Sequence, residues 1–373
     1  MNMLPFVVVF LGVFALISIY ISRRLITHLH LGDQVKHYLR LFLVLNYLGI
    51  FGYMLARYFS DMPNWLYFLL SLPIGVLFLL FCTAVIYDLF RVGMLGIPME
   101  PQRREFFKKG LDIGALGVAF GVSAKATYNA RIVELEEVSV KIQNLAKPYT
   151  VAQLSDIHIG GLINESFMKD IVNRVNVLKP DLVVITGDLV DVKLSQAQKA
   201  LEALGGLQST YGTCFIVGNH EYFHGIEEIM AHVKMLGIRV LENENLYIGK
   251  AGEGFNLAGV YDVFGYRIGH HQPDLARALR GIDPDSPTVL LAHQPRFVEE
   301  ADGKADLILS GHTHGGQLYP FKALVKLQQP YVNGLHRHSE RTQIYVNKGT
   351  GFWGPPMRLG ASSEITYITL TEG

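Results

Sequence analysis

Three long stretches without a charged side chain limit what the first part of this chain can fold into. They cover residues 1–22, 41–56 and 62–87. An α-helix needs about 20 apolar residues to cross the hydrocarbon of a bilayer, and snorkelling arginines can lengthen a shorter stretch. Trp65, Tyr67 and Tyr87 stand at the edges of the third stretch, where interfacial aromatic residues are expected. We therefore predict membrane spans at about 4–22, 41–59 and 63–87.

A weaker apolar segment at 111–128 has two interpretations, and both stay open. Residues 102–108, which include a pair of arginines, two phenylalanines and a lysine, resemble a twin-arginine export signal, and residues 124–126 have the form of a processing site. The other interpretation is an ordinary fourth helix with a basic flank. Both interpretations place the residues that follow on the same side of the membrane.

The distribution of Lys and Arg predicts the orientation in the membrane. Basic residues concentrate in the loops between the first and second and between the third and fourth segments, at Arg23, Arg24, Lys36, Arg40, Arg91, Arg103, Arg104, Lys108 and Lys109. Such loops stay in the cytoplasm. We therefore expect a multi-pass cell (inner) membrane protein whose residues 132–373 lie on the periplasmic or extracellular side. If segment 111–128 lies at the interface instead of crossing, those residues are cytoplasmic.

The composition changes after residue 131 and predicts a separate domain at 132–373, following a transmembrane region at 1–131. Residues 1–131 carry 12 Lys/Arg and 6 Asp/Glu, whereas residues 132–373 carry 21 and 27. The second part is thus net acidic and has no basic stripe, which argues against nucleic acid as a partner. Its single cysteine, Cys214, allows no internal disulfide, so a hydrophobic core has to stabilise it.

Short apolar strands alternate with amphipathic helices in this second part, which predicts an α/β domain. The predicted helices are Glu165–Leu178, Leu194–Leu204, Gly225–Leu236 and Arg296–Glu300. The predicted strands are Thr150–Ser155, Asp181–Thr186, Thr213–Val217, Val289–Ala292, Asp306–Ser310, Gln343–Val346 and Ile365–Leu370. Helix-length segments separate the early strands, which favours parallel pairing; the later strands predict a second, mixed sheet packed on the first.

Five short polar motifs each follow a predicted strand directly. They are Asp156-Ile157-His158, Gly187-Asp188-Leu189-Val190-Asp191, Gly218-Asn219-His220-Glu221, His293-Gln294-Pro295 and Gly311-His312-Thr313-His314. The carboxyl ends of strands are where a site assembles in an open α/β sheet. Oxygen and imidazole donors together suit Mn, Fe or Zn.

In this order the motifs resemble the signature of the calcineurin-like, binuclear metallophosphoesterase superfamily, in its bacterial membrane-anchored branch. The resemblance covers roughly 150–370 and implies an αββα sandwich of two sheets. It also implies two divalent metal ions, with terminal ligands to one from Asp156, His158 and His314 and to the other from Asn219, His293 and His312. Asp188 resembles the bridging carboxylate. A hydroxide between the metals would attack phosphorus.

Two further residues resemble the proton-handling pair of that superfamily. His220 is expected to face the leaving group, and Asp191 is expected to orient its imidazole. A helix N-cap is the alternative role for Asp191, and the two roles are compatible. Near the C-terminus, the loop 349–356 is expected to be a packed structural loop, with a lip that grips lipid or substrate as the alternative. Arg358 is expected to form a surface salt bridge, with a phosphate contact as the alternative.

The sequence therefore predicts a membrane-anchored, metal-dependent phosphoesterase, a phosphodiesterase or phosphatase. Its expected partners are the lipid bilayer and a phosphate mono- or diester, with lipid-linked and envelope-linked esters favoured by the anchor. The alternative is a non-catalytic metal-binding scaffold or sensor domain on a membrane anchor. Non-catalytic members of the superfamily lack a metal ligand or the motif histidine, whereas this sequence has every ligand position and His220.

Overall fold

The computed structural model describes residues 4–56 and 62–373, and the chain divides into two compact units. The helical unit contains the helices up to Asn129 together with residues 354–359. The α/β unit contains residues 130–353 and 360–373. A short piece of the C-terminal part of the chain thus belongs to the helical unit.

Four long helices form the helical unit: α1 Leu4–Tyr20, α2 Asp33–Ala56, α3 Asn64–Leu95 and α4 Pro101–Asn129. Further helical turns continue α1 as far as His28. Three stretches, Val7–His28, Asp33–Ala56 and Asn64–Met94, are long and apolar enough to cross a membrane. They overlap the three predicted spans, although residues 57–59 of the second span lie outside the described residues. Segment 111–128 lies within α4, which continues as one helix through residues 124–126.

Small residues bring α2 and α3 close together. A Cβ added at Gly49 would lie 2.9 Å from Pro73, and one added at Gly52 would lie 2.9 Å from Leu70. Apolar side chains gain nothing by leaving lipid for one another, so helices in membranes associate through such close backbone approach. The two glycines therefore fix the contact between these helices.

Polar side chains also join the helices of this unit. Arg24 donates to Asp88 at 2.6 Å, which connects the turns after α1 to α3. Asp112 of α4 accepts from the hydroxyl of Tyr87 at 2.7 Å and from the backbone N–H of His30 at 2.6 Å. A carboxylate removed from water has to be paired in this way, so Asp112 ties α4 to the other helices.

Residues 354–359 pack among the helices through both side chain and backbone. The side chain of Met357 occupies the space beside Gly75 of α3, where an added Cβ would lie 2.3 Å from the Met357 sulfur. The backbone N–H of Arg358 donates to the carbonyl of Ala126 at 2.8 Å, and Asn129 donates to the Arg358 carbonyl at 3.3 Å. The Arg358 side chain is fully buried, so the expected surface salt bridge is wrong.

Two six-stranded sheets form the α/β unit. The first has the order β1-β12-β2-β3-β4-β5 and the second has the order β10-β11-β9-β8-β7-β6. In the first sheet β12 pairs parallel with β1 and antiparallel with β2, and the remaining neighbours are parallel. The strands are β1 Val133–Ile142, β2 Tyr149–Leu154, β3 Leu182–Thr186, β4 Thr213–Ile216, β5 Arg239–Val240, β6 Glu244–Ile248, β7 Phe255–Gly259, β8 Thr288–Leu291, β9 Leu307–Ser310, β10 Gly334–Arg337, β11 Gln343–Val346 and β12 Ser363–Glu372.

The helices of this unit lie on the outer faces of the sheets. A core of apolar side chains from both sheets, such as Val151 and Val184 of the first and Leu257 and Leu309 of the second, fills the space between them. The helices are α5 Glu165–Leu178, α6 Leu194–Glu202, α7 Asn219–His224, α8 Ile226–Met235, α9 Phe264–Ile268, α10 Leu275–Ala278, α11 Val298–Ala301 and α12 Lys322–Val325. Side chains of α5, α6 and α8 pack on the first sheet, and those of α10 and α11 pack on the second. The αββα sandwich is thus confirmed.

All seven predicted strands are present, but five others were missed: β1, β5, β6, β7 and β10. β7 is fully buried and five residues long, as the predicted β3 is, whereas the other four are edge strands that are short or carry polar residues on both faces. β5 has only two residues, and β6 and β10 are no more than half-buried at most positions. Their pairing with buried neighbours, rather than their own hydrophobic pattern, makes them strands.

Candidate metal centre

The five motifs lie in loops that leave the carboxyl ends of neighbouring strands. Asp156 follows β2, Asp188 follows β3 and Asn219 begins α7 after β4 in the first sheet. His293 follows β8 and His312 follows β9 in the second sheet. Because both sheets present these ends to the same region, side chains that are far apart in sequence come together.

The backbone at this site adopts an unusual conformation. Asp156, His158, Asp188, His312 and His314 all have φ between 49° and 70°. Residues other than glycine rarely adopt this left-handed backbone conformation, and each residue that does so costs about 1–3 kcal/mol. The surrounding loops therefore force these residues into place, and strain of this kind concentrates at functional sites.

Glycines leave the room that these loops need. A Cβ added at Gly218 would lie 2.2 Å from Asp188 Oδ1, and one added at Gly311 would lie 2.1 Å from Asp156 Oδ2. A larger residue at either position would displace a carboxylate of the site. The backbone therefore approaches both carboxylates closely.

Asp156, His158 and His314 form the first group of ligand-type side chains, with one atom of each within 4.8 Å of the others. The Nε2 atoms of His158 and His314 lie 2.9 Å apart, and Nε2 of His314 lies 3.4 Å from Asp156 Oδ1. Nδ1 of His158 lies 2.7 Å from Asp191 Oδ1 and donates there, which leaves Nε2 facing His314 in this group. The backbone N–H of His312 donates to Asp156 at 2.9 Å.

Asp188, His293 and His312 form the second group, again with ligand atoms within 4.8 Å of one another. Asn219 Oδ1 and His312 Nδ1 are buried and have no hydrogen-bond partner among the described residues. A buried polar atom without a partner is costly unless something else binds it. A divalent cation would bind both atoms, and the residues present therefore fit a metal at this position.

Asp188 lies between the two groups. Its Oδ2 atom is 3.2 Å from Nε2 of His293 and 4.0 Å from Nε2 of His158, which belong to different groups. Burial disfavours the ionised form, but the imidazoles of His293 and His220 outweigh it and hold the pKa of Asp188 well below its usual range. Burial, with His293 as a further cause, lowers the pKa of His312 to about 3. His312 thus stays neutral at physiological pH, as a metal ligand must.

His220 and Asp191 lie beside these groups. Nδ1 of His220 is 2.5 Å from Asp191 Oδ1, the same oxygen that Nδ1 of His158 contacts. Burial opposes protonation of His220, but Asp188 and Asp191 together raise its pKa to about 9. The helix α6 begins at Leu194 with Lys193 at its N-cap and no side-chain capping bond, so the N-cap role for Asp191 is wrong.

Glu221 is a site residue whose role the motif did not reveal. It is fully buried, and its carboxylate accepts from four backbone N–H groups, those of Asp188, Leu189, Val190 and Gly218, at 2.7–3.2 Å. Burial, with Asp188 as a further cause, raises its pKa to about 7. Glu221 therefore joins the loop after β3 to the loop after β4. Its place in the motif beside His220 was the available signal.

Asp262 was missed because β7 was missed. It follows β7 and is buried, and its Oδ1 atom accepts from Gln294, the neighbour of His293, at 3.0 Å. Burial raises the pKa of Asp262 to about 6. A recognised strand at 255–259 would have marked the polar residue at its carboxyl end.

Aromatic side chains also lie beside His220. The rings of Phe223 and Trp353 lie 5.8 Å and 6.2 Å from the imidazole, centroid to centroid, and both side chains are partly exposed. Trp353 exchanges two hydrogen bonds with Gln317, at 2.8 Å and 3.0 Å. The base of the loop 349–356 is packed, because Thr350 donates through its backbone to Ser155 at 2.7 Å, whereas Trp353 is exposed.

This chain is similar to known proteins over most of its length. The family model of the calcineurin-like phosphoesterases matches residues 149–316. An uncharacterized metallophosphoesterase of Helicobacter pylori is 38% identical over 87% of this chain and 89% of its own length. One of Campylobacter jejuni is 34% identical over 99% of both chains. A transmembrane protein with metallophosphoesterase domain from Danio rerio is 35% identical over 83% of this chain and 75% of its own. The chain is thus a membrane-associated member of the calcineurin-like metallophosphoesterase family.

Proposed function

We propose that the α/β unit hydrolyses phosphate mono- or diesters with two divalent metal ions, of which Mn, Fe and Zn suit the ligands best. The observation that carries the proposal is the position of Asp188 Oδ2, within 4.0 Å of an imidazole nitrogen in each of the two ligand groups. One carboxylate between two sets of ligands is what a binuclear centre requires. The complete set of ligands also favours an enzyme over a scaffold or sensor.

Seven residues would hold the metals. Asp156, His158 and His314 would bind one ion, Asn219, His293 and His312 the other, and Asp188 both. Bound divalent ions activate water at neutral pH and neutralise charge on phosphoryl oxygens. The protein contributes a rigid set of donors, because strained loops and buried hydrogen bonds hold the ligand side chains before any ion binds.

His220 is proposed to handle the proton of the leaving group. Its Nδ1 atom is held by Asp191, so the remaining ring nitrogen, Nε2, is the one available to substrate. That nitrogen would donate a proton, or a hydrogen bond, to the departing oxygen. Asp191 acts through the imidazole and is therefore a positioning residue.

Membrane anchoring supports a lipid- or envelope-linked ester as the substrate. The exposed aromatic rings of Phe223 and Trp353 stand beside His220, where the leaving group of a bound ester would lie. We further propose that α1–α4 all cross the inner membrane and that the α/β unit lies on the periplasmic or extracellular side. The basic loops between α1 and α2 and between α3 and α4 support this orientation.

The test is hydrolysis of p-nitrophenyl phosphate and bis-p-nitrophenyl phosphate by the detergent-solubilised chain, with Mn²⁺ and with a chelator. We expect metal-dependent turnover of at least one ester. His220→Ala should retain both metals and lower turnover by about 10²–10⁴-fold, the usual contribution of a general acid. Asp188→Asn should lose metal as well as turnover.

His338→Ala is the matched control, because this histidine follows β10, contacts Tyr331 and belongs to neither ligand group. It should leave metal content and turnover unchanged. A folded wild-type chain that binds two metals but hydrolyses neither ester, nor any other phosphate ester offered, would favour the scaffold or sensor. Wild-type turnover by His220→Ala would show that another group protonates the leaving oxygen.

A further inference from the structure

A short segment directly after the metal-binding motif exposes apolar side chains. We call it the 319–327 surface; its exposed apolar members are Tyr319, Phe321, Ala323, Leu324 and Leu327. Leu327 is 80% exposed and Tyr319 is 62% exposed. Single exposed apolar residues are common, but five within nine residues form a patch that marks an interaction surface.

The 319–327 surface is held in place at its beginning. Gly316, two residues after the metal-binding motif, has φ 84°, and an added Cβ there would lie 2.5 Å from the Lys322 Cα. The Lys322 side chain donates to Asn333 at 2.6 Å. The hydroxyl of Thr313, between the two histidines of the motif, donates to the carbonyl of Val332 at 2.6 Å.

The end of the surface is fixed as well. Gln329 is buried, accepts from the backbone N–H of Arg296 at 3.0 Å and donates to Gln294 at 3.2 Å. Gln294 directly follows His293. The apolar side chains are therefore exposed by a rigid segment that is tied to two metal-binding loops.

The charged residues near this surface in the sequence are all basic. Residues 307–339 contain Lys322, Lys326 and Arg337 and no Asp or Glu, although residues 132–373 as a whole are net acidic. Apolar side chains interleaved with lysines are typical of segments that lie in the interface of a membrane with anionic lipids. A protein partner would have to be acidic and apolar at once, whereas a bilayer surface offers both properties.

The chain continues from the partner of Gln317 into the helical unit. Gln317 exchanges two hydrogen bonds with Trp353, and the next residues, 354–359, belong to the helical unit. We propose that the 319–327 surface inserts its apolar side chains into the headgroup region of the anionic membrane that anchors the chain. Lys326 then lies at the level of the lipid phosphates. This proposal does not depend on hydrolysis.

Site-specific labelling in lipid tests the proposal. Both native cysteines are replaced by alanine in the full chain, and a single cysteine is introduced by Leu327→Cys or by Val177→Cys. Val177, on α5 of the same unit, is 79% exposed, so it matches Leu327 in exposure and apolar character. Each variant carries a bimane label in vesicles of phosphatidylcholine and phosphatidylglycerol with brominated acyl chains.

We expect the brominated lipids to quench the label at 327 severalfold more strongly than the label at 177. Leu324→Glu, added to Leu327→Cys, should reduce that quenching, because a carboxylate opposes both insertion and the anionic lipid. Equal quenching at the two positions would overturn the proposal. So would disulfide-linked dimers of Leu327→Cys formed in lipid-free micelles, since they would assign the surface to a second copy of the chain.

Discussion

Glu221→Gln tests whether one buried carboxylate holds two metal-binding loops together. One side-chain oxygen of Glu221 accepts from Leu189 and Val190, and the other accepts from Asp188 and Gly218. Glutamine keeps one oxygen but turns an NH₂ group toward the other two N–H donors. Above the pKa of about 7 that burial gives this carboxyl, two charge-assisted hydrogen bonds are lost, each of about 1.5–3 kcal/mol. We take the lower end of this range, because the loops can relax. The free energy of unfolding of the α/β unit should therefore fall by about 3 kcal/mol.

Cys214 provides the assay for this loss. It lies on β4, four residues before Gly218, and is 1% exposed; burial raises its pKa to about 11. A thiol reagent therefore reaches it only when the α/β unit opens. In a Cys82→Ala background with chelator, a loss of about 3 kcal/mol raises the labelling rate at Cys214 roughly 100-fold, since each 1.4 kcal/mol is a factor of ten.

Glu165→Gln is the control, because it makes the same chemical change on an exposed carboxylate that pairs with Lys169 on α5. It should leave the labelling rate unchanged, as expected for a surface ion pair. If Glu221→Gln labels Cys214 no faster than this control, Glu221 does not join the loops and its four hydrogen bonds add nothing to stability.

Three further predictions follow from the contacts described. Asp191→Ala removes the acceptor of both His158 and His220, so metal affinity, measured by chelator competition, should fall about 10–100-fold together with turnover; loss of turnover alone would limit Asp191 to His220. Lys348→Met leaves Glu364, which is fully buried and lies 2.8 Å from the Lys348 ammonium, without its cation. Lys348→Met should lower the free energy of unfolding by about 3 kcal/mol, measured by Cys214 labelling. Adding Glu364→Gln to the same chain should restore part of this loss. An unchanged labelling rate in Lys348→Met would contradict the prediction. A topology reporter fused to the C-terminus should read as exported, and a cytoplasmic signal would reverse the proposed orientation.

The sequence predicted the strands that carry the site better than the strands at the edges of the sheets. β2, β3, β8 and β9 are mostly apolar because nearly all of their residues are buried, and a polar motif follows each one. Half-buried strands such as β6 carry no such pattern. Asp262 was lost with β7, because only a recognised strand would have marked its end as part of the site.

The motifs predicted which side chains form the site, but they did not predict which of these side chains share a hydrogen-bond partner. Asp191 was expected to contact His220, and only the folded geometry adds His158 to the same oxygen. Likewise, nothing in the residues around Arg358 predicts that this arginine is fully buried, since its burial depends on helices more than 200 residues earlier in the chain. Contacts of this kind are decided by tertiary packing.

The position of β12 in the first sheet determines when that sheet can form during synthesis of the protein. β12 lies between β1 and β2. It pairs in parallel with β1 over ten residues and antiparallel with β2. During synthesis, β1 therefore has no partner in its own sheet until residues 363–372 have been made. The helices can enter the membrane while the ribosome is still at work, but the first sheet closes only afterwards. A nascent chain that stalls before β12 would be anchored in the membrane and inactive, with the edges of β1 and β2 open to other chains.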